Sequence, residues 1–193
     1  MKIESKEKLA KLLATEDLDV QHQQVETAYF DVKSRTLVLP TWKDMPDNLY
    51  DLLVGHEVGH ALFTPTSQDR LVKAYKKTSK ACINILEDAR IEKKIKRKFA
   101  GARKSMIDGY GALMDNDFFG LRKMGVNAND LGLIDRINLY TKAGTDYGIE
   151  FSDEEREWVE KIMRTETFED VLEVTEGLNV YCKENESETD KSY

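Results

Sequence analysis

Two of the chain's three histidines, His56 and His60, stand four residues apart in "LLVGHEVGHALF", with Glu57 directly after the first. On a helix, residues four apart lie one turn above each other, so both imidazoles can be aimed at one point. That is half of a zinc site. Glu57 projects to the side, where it can reach a water on the metal without ligating it, the arrangement of H-E-x-x-H metallopeptidases. Zinc lowers the pKa of its water toward about 7, and a glutamate so placed takes the proton while the metal polarises a carbonyl. Gly55 and Gly59 flank the histidines and offer room for a close neighbour.

Two histidines need a third protein ligand if one position is to stay open for water. His22 lies upstream, before a hairpin pattern, and reads as a surface or packing residue. The segment "ALFTPTSQD" after the motif lacks the glycine and histidine of metzincins. Carboxylates remain in two places: the helical stretch "NILEDARIEKKI" (84–95) and "GTDYG" (144–148).

The pair "GHEVGHALFT" and "NILEDARIE" resembles the gluzincin-type zinc metallopeptidases. It is most similar to the metallopeptidase domain of tailed-bacteriophage proteins that carry a von Willebrand factor A domain after an acidic linker. The resemblance covers residues 28–98, and the chain ends at Tyr193 without a von Willebrand domain. It implies His56, His60 and Glu87 as ligands of one Zn2+ per chain, Glu57 as catalytic base, a peptide or protein as substrate, and the host cytoplasm as location. On its own helix Glu87 shares a face with Ile83 and Ile91, where a lone carboxylate would be costly and a zinc ion would remove the cost, the alternative being a helix-surface salt bridge to Arg90 or Arg103. Asp88 and Glu92 point to another side, where one of them can accept the N–H of a ligating histidine. "GTDYG" resembles the aspzincin pattern with its spacers missing and reads as an interhelical turn, which ranks Asp146 behind Glu87. Tyr110, between glycines in "DGYGAL", is the first candidate for holding an oxyanion, against the commoner role of core packing.

The elements that must position these residues follow from periodicity. A helix is expected over 4–15, then a hairpin with strands near 25–31 and 36–39 around "KSR", ended by Pro40. A helix with Asp47 or Asn48 near its start carries the histidines and stops at Thr64-Pro65. Further helices are expected over 68–76, 79–98, 101–115, 129–143, from a Ser152–Glu155 capping box, and over 167–184. The fold class is therefore α+β: a mostly helical zincin-like domain over 1–183 with a small antiparallel hairpin beside the active-site helix. A disordered acidic tail is expected over 184–193.

A hydrophobic content of 40% in 193 residues suffices for one buried core. No apolar run of membrane-spanning length occurs, and the charged, amphipathic N-terminus is unlike an export signal. Cys82 and Cys182 read as free thiols of a reducing, cytoplasmic compartment. The net charge of −7 disfavours a nucleic-acid partner. Residues 93–104 hold seven basic residues and residues 150–176 eleven acidic against three basic, so the basic run reads as a solvated face balancing the acidic third. A zincin-shaped module that keeps zinc for stability and holds a protein partner without turnover is the competing class; an intact Glu57 favours the enzyme.

Overall fold

The computed structural model describes residues 18–31 and 33–185. The helix expected over 4–15 and most of the expected tail lie outside them. Among the described residues the fold is α+β, with eight α-helices and a three-stranded mixed sheet. The strands are β1 (Asp19–Gln23), β2 (Tyr29–Asp31) and β3 (Thr36–Pro40). The helices are α1 (Asp47–Phe63), α2 (Gln68–Lys77), α3 (Lys80–Lys98), α4 (Ala100–Asp115), α5 (Leu121–Met124), α6 (Leu133–Ala143), α7 (Asp153–Arg164) and α8 (Phe168–Asn185).

The hairpin forms as its pattern predicts. β2 pairs antiparallel with β3, Phe30 opposite Leu37, and the turn is closed by Asp31 Oδ1 accepting from the amides of Lys33 and Ser34. The sheet has a further strand, however. β1 pairs in parallel with β3, Val20 opposite Leu37, and gives the order β1-β3-β2. Its sequence, DVQHQ, holds a single apolar residue, so the ladder hydrogen bonds and not side-chain burial define it. β3 lies at the centre, with Leu37, Val38 and Leu39 all buried.

The chain forms two compact units. One consists of the described residues up to Thr66 together with Ile91–Phe119. Its core joins Leu37 and Leu39 of the sheet to Leu49, Leu52, Val54 and Val58 of α1 and to Met106, Tyr110 and Leu113 of α4. A Cβ on Gly109 would stand 2.7 Å from Leu52 Cβ and 2.8 Å from the Asn48 carbonyl oxygen, so only glycine lets α4 approach α1 this closely. The other unit comprises Ser67–Arg90 and the residues from Gly120 onward. Ile83 and Leu86 of α3, Ile137, Val159, Ile162, Val171 and Leu178 fill its core. Cys82 lies in that core as a free thiol, pushed up to about 12 by burial and then by the nearby Cys182.

The Ser152 hydroxyl accepts from the Glu155 amide and the Glu155 carboxylate from the Ser152 amide, so the capping box opens α7 as its sequence predicts. "GTDYG" forms one 3-10 turn over Thr145–Tyr147, between α6 and α7. No helix among the described residues is long and apolar enough to cross a membrane.

Candidate metal centre

α1 places His56 and His60 on one side of a single helix, their ring centroids 4.9 Å apart and their planes near perpendicular. The helix can approach α3 because residue 59 is glycine: a Cβ there would meet Ile91 Cδ1 at 3.0 Å and Ile95 Cγ1 at 3.1 Å. The space expected beside the histidines is thus filled by isoleucines.

Each ring is oriented through Nδ1. His56 Nδ1 lies 2.9 Å from Glu92 Oε1, and His60 Nδ1 lies 2.9 Å from the Thr64 hydroxyl. Glu92 is 2% exposed. Burial is the largest influence on its carboxyl and pushes the pKa up. The His56 hydrogen bond, the charges of Lys96 and His56 and the Tyr110 hydroxyl together outweigh it and leave the group below its ordinary value. An ionised carboxylate only accepts, so His56 Nδ1 is the donor and Nε2 is the nitrogen the ring can direct at a metal. Thr64 offers His60 an acceptor for the same tautomer.

The third member is a carboxylate of α3. One ligand atom each from His56, His60 and Asp88 lies within 4.8 Å of the others. A tetrahedral ion with bonds of about 2.0–2.2 Å holds its ligands about 3.3–3.6 Å apart. Asp88 and Glu92 are four residues apart and share a face of the unbroken α3. The face that orients His56 therefore also carries the carboxylate. Asp88 Oδ2 is 3.2 Å from Lys142 Nζ of α6.

Glu87, implied as ligand by the family resemblance, is buried at 3% exposure, as its place beside Ile83 and Ile91 demands. Its two oxygens accept from Arg90 Nη2 at 2.7 Å and Nε at 2.8 Å, and Arg90 Nη1 reaches the Glu166 carbonyl at 3.1 Å. Glu57, one residue beyond His56 on α1, is 8% exposed. Tyr110 is 6% exposed, and its hydroxyl donates to Glu92 Oε1. His22 pairs with the Tyr50 hydroxyl at 2.5 Å and stacks on that ring. Asp146 lies in the 3-10 turn before α7.

The donor set fits a metal. Two imidazoles and one carboxylate form a nitrogen and oxygen set of the kind zinc accepts. Thr64 was open to discovery from sequence because it follows His60 by four residues. Glu92 was marked by its spacing from Asp88.

No family model, curated protein or solved structure matches the chain. What is established is a mostly helical fold with a His56, His60 and Asp88 group able to hold a metal ion.

Proposed function

We propose that the protein is a zinc-dependent peptidase whose metal is held by His56, His60 and Asp88 and whose general base is Glu57. The observation that carries the reading is the grouping of His56 and His60 of α1 with Asp88 of α3, with Glu57 next to the first histidine on α1. Zinc, when bound, would polarise a substrate carbonyl and acidify a water. Glu57 would serve as the base toward such a water and return the proton to the departing amine. The near burial of Glu57 limits its hydration and suits a group that shuttles protons. Glu92 and Thr64 hold the two rings in place throughout. The edge strands of the sheet, β1 and β2, are where an extended peptide would add by main-chain pairing.

The test is metal content followed by turnover. Purified protein is expected to carry about one zinc per chain, and to lose it in the His56→Ala, His60→Ala double variant. Glu57→Gln should keep the zinc while cleavage of an unstructured protein falls by roughly two to four orders of magnitude. Zinc that persists in the double variant places the metal elsewhere. Zinc without cleavage in the unaltered protein leaves a metal-stabilised binding module, and cleavage unchanged by Glu57→Gln removes the base.

A further inference from the structure

Glu92 sits at the junction of three other side chains. Its Oε1 accepts from both His56 Nδ1, at 2.9 Å, and the Tyr110 hydroxyl, while Lys96 Nζ stands 3.3 Å from Oε2. The last torsion of a glutamate is broad and roughly two-fold, so a carboxylate held by one donor can turn and offer either oxygen. Here Oε1 is pinned by a phenol from α4 and Oε2 by an ammonium one turn along α3. The orientation of the oxygen that meets His56 is thus fixed from behind, by groups outside the His56, His60 and Asp88 set.

We propose that Tyr110 is a positioning residue which acts through Glu92 to hold the His56 ring with Nδ1 protonated and Nε2 turned toward the metal. This rests on the metal reading of His56, His60 and Asp88. The alternative role, an oxyanion donor, conflicts with the hydroxyl's engagement of Glu92 and with a ring packed in the core beside Leu52 and Met106. The approach of α4 to α1 at Gly109, one residue earlier, is what brings the phenol within reach. A purely packing role would be met by phenylalanine, since the ring also stacks under Lys96 Nζ at 5.9 Å without using its hydroxyl.

The experiment removes only that hydroxyl. Tyr110→Phe, Glu92→Gln and their combination are made in the full chain, and two quantities are read: the nitrogen shifts of the His56 imidazole in metal-free protein by NMR, and zinc affinity by chelator competition. In Tyr110→Phe the His56 ring is expected to leave its single tautomer for an averaged one, and zinc affinity to fall roughly 10-fold to 100-fold, the usual effect of losing a partner behind a ligand. Because both residues act on one ring, the combined variant should bind zinc no more weakly than Glu92→Gln alone. An unchanged tautomer with unchanged zinc affinity in Tyr110→Phe overturns the proposal, as do fully additive losses. Should Tyr110→Phe fail to fold, Glu92→Gln, which keeps the phenol ring, must still shift the His56 tautomer, and a ring that does not respond overturns it. Absence of zinc binding in the unaltered protein would sink the metal reading alone, because the metal-free tautomer still reports on the link from Tyr110 to His56.

Discussion

Glu87 and Glu92 stand five residues apart on α3, at 3% and 2% exposure. The first is neutralised by its own helix: Arg90, three residues on, forks across both carboxylate oxygens. The second is held by three elements at once, through His56 of α1, Tyr110 of α4 and Lys96 of α3. A buried carboxylate paired within its own turn is closed chemistry, with its best acceptor sites committed to one guanidinium. A buried carboxylate assembled from distant side chains is a means of transmitting orientation, and here it orients the His56 ring. Burial of a charge alone therefore says little about function; the identity and origin of its partners decide.

Breaking the closed pair should have the largest effect. Arg90→Met leaves the Glu87 carboxylate buried without its guanidinium and is expected to cost about 3–5 kcal/mol, read by urea unfolding. The Glu87→Met, Arg90→Met double variant should recover most of that. A loss below about 1 kcal/mol in the single variant would mean that the pair is not closed in this sense.

The comparison is sharpened by asking which carboxylate serves the metal. Asp88→Asn should weaken zinc by more than roughly 100-fold, beyond the range for groups behind a ligand. Glu87→Gln should leave folded protein within about tenfold of the unaltered affinity, below that range. The reverse ranking in a zinc titration would give the third position to Glu87.

A partly buried pair supplies the smallest effect. Arg136 donates two hydrogen bonds to Glu155, at 3.0 and 2.5 Å. The Arg136 bond is the largest influence on that carboxyl; burial opposes it, and the Ser152 amide and the Arg136 charge reinforce it, so the group lies below its ordinary value. A depressed carboxyl stabilises the fold above the unfolded value, near 4.3, and loses that contribution as pH falls through the lower folded value. Arg136→Gln should therefore lower stability at neutral pH by no more than about 1 kcal/mol, with the difference vanishing in acid. A difference that persists unchanged at low pH would assign it to the bonds Arg136 makes to the Leu131 and Glu150 carbonyls instead.

Helical period carried most of what was legible. The histidine helix, its stop at Thr64, the hairpin and the capping box of α7 follow from local patterns, and the structure has them. β1 does not follow, because pairing with a distant strand leaves no mark in a segment as polar as DVQHQ. The burial of Glu87 was legible from Ile83 and Ile91, and the pair with Arg90, the alternative to a metal there, follows from a spacing of three residues on one helix. The stripe of Asp88, Glu92 and Lys96, each four residues from the next, held the signal for the side that faces the histidines, and only the tertiary approach at Gly59 shows which side that is.

The end of α1 makes the length of a helix and the aim of a side chain into one property. Thr64 binds His60 twice, its amide to the His60 carbonyl and its hydroxyl to the ring. An extra residue between them would move the hydroxyl about 100° around the axis and unfasten the ring, although it would leave the helix itself intact. After Pro65 the exposed Thr66 and Ser67 make no such demand. Inherited insertions and deletions should therefore divide sharply at this junction, excluded up to Thr64 and accepted immediately beyond it.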